Sequence, residues 1–254
     1  MNKTRYITLP EEEAQQRLKT KTRRGFLVGG AAILAGVGGY RWVTKSALED
    51  EVPWPQRKVL NFNGNLAARY VSDDHLIKTF PADQATMPKA NGHEGMDDDN
   101  IQGWKLNVDA GGGVAPFALQ MADVQSLPKV DLVTRLCCIE GWSTVVHWGG
   151  VRFSDFTKKY FPSGKKVPAY VYMATPDEEY YVGLDRKSAL HPQTLLVWEM
   201  NGKPLELSHG APLRLAIPVK YGIKNIKRIG TIRFTDQRPG DYWAEEGYDW
   251  FAGL

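Results

Sequence analysis

The sequence predicts a mixed α+β domain, rich in strands and irregular connections, behind a separate N-terminal segment. Three observations predict it. From Trp104 onward, short apolar runs rich in β-branched and aromatic residues alternate with Gly/Pro turns, which is the pattern of strands. Helical periodicity is sparse, and Phe153–Tyr160 after Arg152 is its best instance. A chain of 254 residues with 43% hydrophobic and 24% charged residues is an ordinary globular composition, long enough for one large core or two modest ones.

The elements follow in order. Arg23-Arg24 stand directly before an uncharged run from Gly25 to Tyr40, which Arg41 closes; this is the pattern of a twin-arginine export signal. The run contains six glycines and is therefore weakly hydrophobic. A transmembrane anchor is the alternative: the run is shorter than the ~20 residues of a usual span, but Trp42 and Val43 extend it. No clear small-x-small cleavage site follows, so a retained segment would tether an exported, periplasmic domain to the inner membrane. Residues 1–45 are expected to form this signal or anchor, 46–103 a linker with the N-terminal part of the main domain, and 104–254 its core.

Pro53-Trp54-Pro55 marks a linker, and the Gly/Asp/Asn-rich stretch Ala90–Gly103 a loop. Asp97-Asp98-Asp99-Asn100 lacks the alternating ligands and distant Glu of a helix-loop-helix calcium site, so a solvated loop is expected. Strands are expected at Trp104–Val108, Val114–Leu119, Leu132–Ile139, Ala169–Ala174, Thr194–Met200, Leu213–Pro218 and Ile226–Thr235.

Charge narrows the partners. The net charge is +3, but residues 1–45 carry nine Lys and Arg against three Glu, which leaves 23 against 26, or −3, for the rest. That balance argues against a nucleic-acid surface, which would show a basic patch or stripe. A small anion held by a few local cations remains compatible.

Cys137 and Cys138 are the two cysteines of the chain. Adjacent cysteines build neither a disulfide framework nor a four-thiolate zinc cage. One thiolate can still hold a soft metal when a cofactor brings other ligands. On a strand the two side chains face opposite ways, so one sulfur can be functional while the other packs; a buried structural cysteine is the alternative. In the C-terminal third, Met200–Leu205, His209–Arg214 and Lys220–Lys227 combine Gly/Pro punctuation with His209, Arg214 and Lys227, donors suited to a phosphate. Neither a Walker loop nor a Rossmann fingerprint occurs.

Taken in order, Cys138-Ile139-Glu140-Gly141-Trp142, the Met-Asn-Gly-x-Pro-Leu stretch, the His-Gly-x-Pro-x-Arg stretch and the Tyr-Gly-x-Lys-x-Ile-Lys stretch resemble the sulfite-oxidase superfamily of molybdopterin enzymes. The resemblance covers roughly Trp104 to Leu254. It implies a strand-rich sulfite-oxidase-type fold and a molybdenum cofactor with one pterin dithiolene, ligated by Cys138. His209 and Arg214 match the phosphate-anchoring positions, Asn225, Ile226 and Lys227 a later contact segment, and Thr175 a pterin-contacting threonine of the sulfoxide-reductase branch. An upstream cofactor-site Asn of that branch falls on Asn61, Asn63 or Asn65. The Ile-Glu-Gly-Trp-Ser that follows Cys138 differs from the arginine-containing segment of the sulfite-oxidising branch, and favours the exported protein-methionine-sulfoxide reductase branch. Tyr180, in contrast, aligns with an active-site tyrosine of the sulfite-oxidising branch.

The implied activity is oxygen-atom transfer, with reduction of a small-molecule or protein-bound sulfoxide first in order. A sulfite oxidase-like enzyme, a cofactor-free binding module on the same fold, and a thiol redox protein using the vicinal cysteines are the alternatives. No haem-attachment motif is present, so the electron source expected is a membrane cytochrome, and the twin-arginine machinery is the expected export partner. Trp142, Trp148, Tyr180 and Trp243 are candidate pocket walls, and His147 is either a proton donor or a structural histidine.

Overall fold

The computed structural model describes residues 10–96, 101–111 and 113–254. In chain order the elements are helix α1 (Glu11–Lys45), two-residue strands β1 (Leu48–Glu49) and β2 (Val52–Pro53), α2 (Trp54–Tyr70), β3 (Leu106–Asp109), β4 (Phe117–Leu119), α3 (Met121–Gln125), β5 (Val130–Cys137), β6 (Ser143–Arg152) and α4 (Phe153–Tyr160). They continue with β7 (Tyr170–Ala174), β8 (Tyr181–Asp185), α5 (Arg186–Ala189), β9 (Leu195–Met200), β10 (Lys203–Pro204), β11 (Arg214–Ala216), β12 (Thr231–Thr235) and α6 (Tyr242–Glu245). The aspartate and asparagine run at 97–100 lies outside the described residues.

The chain divides into two units. One is α1 with its continuation to Glu49 and Pro53–Gln56; the other is Asp50–Val52 with Arg57–Leu254. Helix α1 opens on Glu11, Glu12 and Glu13 and closes on Lys45, charges that complement the helix dipole at both ends. It buries none of its residues, and by length and composition it is able to cross a membrane.

The larger unit is built on two five-stranded sheets. The first runs β10-β9-β6-β5, with β11 also paired to β9, and every pairing is antiparallel. The second runs β4-β3-β12-β7-β8 and is mixed, because β12 pairs parallel to β3 and antiparallel to β7. Side chains on β9 alternate between two cores, as strand geometry requires. Leu196 joins the large core with Val151, Phe153, Phe156, Val171, Met173, Ile232 and Phe234, whereas Leu195 and Val197 join Val146 and Trp148 in a second.

All seven expected strands are present with shifted ends, and α4 has the expected bounds. Strand β6, the ten-residue partner of β5, carries Gly149-Gly150 in mid-strand, a pair that reads as a turn. The register of β6 against β9 shifts between these residues, and a Cβ on Gly150 would lie 2.1 Å from the Leu196 carbonyl oxygen. The glycine permits a bulge with close backbone approach. Pro53-Trp54-Pro55 is not an open linker: α2 starts at Trp54, and Pro55 sits in its first turn, where an absent N–H costs nothing.

Two connections prepare the site. Residues 77–86 cross the β5–β6 hairpin, with Phe80 N donating to Val133 O at 3.1 Å and Thr86 N to Val145 O at 2.9 Å. They deliver the following residues, 88–94, to the tip of that hairpin. The chain end is also fixed, since Tyr221 N donates to Ala252 O at 3.0 Å and Leu254 N to Val219 O at 3.1 Å.

Candidate functional site

Cys138 sits at the tip of the β5–β6 hairpin. Gly141 N donates to Cys138 O at 3.2 Å and Cys138 N to Trp142 O at 2.9 Å, a turn closed by Gly141 at φ +89°. A neighbouring glycine completes the approach: a Cβ on Gly222 would stand 3.5 Å from the Cys138 Cα. Cys138 lines a cavity of about 350 Å³, whereas Cys137 does not line it. Burial pushes the Cys137 thiol up, opposed by Arg135, so this sulfur is held as a neutral thiol.

Tyr180, His209, Arg214, Asn225 and Lys227 line the same cavity. The sequence therefore predicted six residues, Cys138 included, that four separate connections bring together. Arg214, the first residue of β11, is buried and donates from Nη1 to His209 O at 3.0 Å and from Nη2 to Asn225 O at 3.2 Å. Among the described residues its Nε has no hydrogen-bond partner, and its guanidinium lies 5.0 Å from the centre of the Trp148 ring. Burial lowers the Arg214 pKa to about 10, so it remains a cation at neutral pH. Burial, then Arg214 and Lys227, lower the His209 pKa, which favours a neutral imidazole.

Lys227 is held at about 8, first by burial and then by Arg214. Its Nζ donates to Asn91 O at 2.6 Å and Ser208 O at 3.0 Å. The close approach of Gly210, φ +95°, brings His209 and Lys227 side by side, because a Cβ there would stand 2.7 Å from the Lys227 Cβ. Among the described residues neither Arg214 nor Lys227 forms an ion pair with a carboxylate. A buried guanidinium and a half-buried ammonium, neither of them ion-paired among the described residues and the first with an unpaired donor, fit a phosphorylated ligand. The thiol on the same cavity fits a soft metal, and so the residues present fit a molybdopterin.

Several expected residues sit elsewhere. Ile226 is in the large core, and its carbonyl accepts from Leu215 N at 2.9 Å. Thr175 is buried outside the cavity lining; its Oγ1 accepts from Tyr180 N at 3.1 Å and so shapes the β7–β8 turn that carries Tyr180. Asn61, Asn63 and Asn65 lie on α2, and none lines the cavity. The upstream asparagine on the cavity is Asn91, whose Nδ2 lies 3.8 Å from Cys138 Sγ. With Asn91 come Lys89, to which the sequence assigned nothing, and His93 and Glu94, which sequence reasoning placed in a loop without a role. The paired left-handed glycines Gly92 and Gly95, φ +77° and +70°, were the available signal of a shaped backbone there.

Tyr180 donates its hydroxyl to Ile223 O at 2.5 Å, and burial, with Asp241 next, holds its pKa well above the usual tyrosine value. Trp142 and Trp243 are pocket walls, with Trp142 Nε1 donating to Glu140 at 2.9 Å. Trp148 instead lies buried beneath Arg214. His147 is structural: its Nε2 pairs with Asp131 at 2.9 Å, away from the cavity.

A sheet-built cavity that joins one thiol to a buried guanidinium and a half-buried ammonium is that of a molybdopterin-binding oxidoreductase. The model of the oxidoreductase molybdopterin binding domain matches residues 93–243, and the chain belongs to that family. Among curated relatives, a protein of Azospira oryzae provisionally named protein-methionine-sulfoxide reductase subunit YedZ1 is 31% identical over 98% of this chain and 90% of its own length. The protein-methionine-sulfoxide reductase catalytic subunits MsrP of Xanthomonas axonopodis pv. citri and Campylobacter jejuni are 36% and 34% identical, over 56% and 61% of this chain. The chain spans about half of each, 48% and 58%. Among solved structures, the sulfane dehydrogenase SoxCD of Paracoccus pantotrophus aligns with TM-score 0.49 at 16% identity, over 56% of this chain and 40% of that one.

Proposed function

We propose that this molybdenum-dependent oxidoreductase reduces a sulfoxide, with a methionine sulfoxide side chain as the first candidate. The observation that carries the proposal is the convergence of Cys138 with His209, Arg214 and Lys227 on one cavity whose remaining wall includes Ile139, Trp142, Trp243 and Tyr248. When bound, the molybdenum cofactor supplies two-electron oxygen-atom transfer. Cys138 would ligate the metal, and His209, Arg214 and Lys227 would anchor the phosphate, with Asn225 holding the Arg214 guanidinium in place. The apolar wall suits the neutral side chain of a methionine sulfoxide, and the Glu94 and Glu140 carboxylates on the same cavity disfavour a small anion such as sulfite. The names of the relatives above support the same choice.

Export and tethering belong to this reading. Arg17, Lys19, Lys21, Arg23 and Arg24 precede the apolar run of α1 and only Arg41 and Lys45 follow closely, a bias that keeps the N-terminus cytoplasmic and puts the larger unit outside. The twin arginines direct the chain to the export machinery, and a membrane cytochrome supplies electrons.

The test is molybdenum content and methionine-sulfoxide reduction, with reduced viologen dye as donor, in the wild type and Cys138→Ser. Near-stoichiometric metal with turnover in the wild type, and folded but inactive Cys138→Ser, is the expected result. Full activity in the variant, or sulfite oxidation in place of sulfoxide reduction, overturns the proposal. Turnover with a nicotinamide donor alone removes the membrane electron partner.

A further inference from the structure

Helix α2 carries an apolar stripe that no described residue of its own unit covers. Val59, Phe62, Leu66 and Tyr70 are 59%, 62%, 49% and 63% exposed. At ~100° per residue they fall within about 80° of one another around the helix. The opposite side holds the helix to the domain: Arg57 donates to Ala244 O at 2.5 Å and Tyr248 O at 3.0 Å, Gly64 abuts Asp249 and Phe251, and Ala67 and Ala68 pack on the cluster of Val71, Trp250 and Phe251. The stripe is thus presented by a helix fixed from behind.

We infer that this stripe lies in the headgroup and acyl boundary of the membrane that α1 crosses, so that α2 seats the catalytic domain on the lipid surface. The inference rests on the tethered reading above. Three observations favour lipid as the occupant. Residues 46–53 join the two helices, and a fully extended chain of that length reaches at most ~30 Å, which keeps the start of α2 near the bilayer. Helix α2 contains Arg57, Lys58 and Arg69 and no Asp or Glu, and exposed Lys58 and Arg69 border the stripe, a charge balance suited to anionic headgroups. Trp54 and Tyr70 stand at its two ends, the residues that membrane interfaces favour. Arg57 also links this seat to the cavity, since Tyr248 is a lining residue.

The test uses the full chain in nanodiscs of phosphatidylethanolamine and phosphatidylglycerol. The photoreactive residue p-benzoylphenylalanine replaces Phe62, Leu66 or, as a control, exposed Lys158, one at a time. After illumination the expected result is lipid adducts at positions 62 and 66 at about ten times the yield at 158. Equal yields at the three positions, no lipid adducts, or crosslinks to protein in place of lipid overturn the inference. Protein recovered free of the nanodiscs refutes the tethered reading itself, a result distinct from protein that is retained but makes no lipid adduct through α2.

Discussion

The Lys227 ammonium reaches across the cavity to the Asn91 carbonyl oxygen, 2.6 Å away, and so fastens the upstream wall of the site to the segment that follows His209 and Arg214. Asn91 in turn places its side-chain amide 3.8 Å from the Cys138 sulfur. Replacing Lys227 with Met removes the donors and a desolvated cation together. These effects oppose one another, so global stability is expected to change by within ~1 kcal/mol. Residues 89–94 lose their fastening, and amide exchange there is expected to speed up at least tenfold with a parallel loss of molybdopterin. Exchange measured by mass spectrometry, with pterin content, checks both.

Thr175 acts on the same loop from the other side. Gly95 has φ +70°, and a Cβ on it would stand 2.4 Å from Thr175 Oγ1. Gly95→Ala therefore meets both backbone strain and overpacking, and is expected to cost ~2–4 kcal/mol. Gly103 has φ +76°, and among the described residues nothing lies within 4 Å of an added Cβ, so Gly103→Ala bears the backbone strain alone, ~1–2 kcal/mol. Urea unfolding of the two variants isolates the contact with Thr175; equal losses would show that Thr175 does not hold the loop.

Much of this was legible from residue order, and the exceptions have physical causes. Cys138, His209, Arg214, Asn225 and Lys227 are close to glycines or prolines that shape their turns, so motif spacing carried them to one cavity. Asn91 lies in a stretch whose composition reads as a solvated loop, and its position comes from the contacts of Asn91 with Lys227 and of Gly95 with Thr175, which join residues far apart in the chain. Strand β6 was hidden because Gly149-Gly150 mimic a turn. Thr175 was legible as important but not in its role, which is to shape the Tyr180 turn and back Gly95.

Stability should rise from near pH 8 towards pH 10. Burial lowers Lys220 to about 7 and Lys227 to about 8, each from the ordinary 10.5. Between the lowered and ordinary values the unfolded chain binds more protons than the folded one, so stability increases with pH across that window. Above pH 10 the sign reverses, because burial raises Tyr180 and Tyr181 and the unfolded tyrosines ionise first. Urea midpoints of cofactor-free protein at pH 7.5, 9 and 10.5 check the rise and the reversal. Lys227→Met should flatten the part between pH 8 and 10. A phosphate held beside Lys227, as proposed above, would favour its charged form, so the cofactor-loaded protein should show a weaker rise.

Tyr180→Phe separates a positioning tyrosine from a proton donor. Its hydroxyl is committed to Ile223 O at 2.5 Å, and its raised pKa keeps it neutral throughout the physiological range. Ile223 lies in the connection whose Gly222 faces Cys138, so the bond fixes one wall of the cavity. Removing the hydroxyl leaves a largely buried carbonyl unpaired, an expected loss of ~1–3 kcal/mol in stability. A positioning role predicts a fall in kcat of less than about tenfold, with KM rising as the wall loosens. General acid catalysis at this hydroxyl would instead predict a fall of roughly 10²–10⁴-fold. Steady-state kinetics with a small methionine sulfoxide, over a range of pH, distinguishes the two: in the positioning case the pH profile of Tyr180→Phe keeps the shape of the wild type, and a lost ionisation in that profile would reassign the hydroxyl to proton transfer.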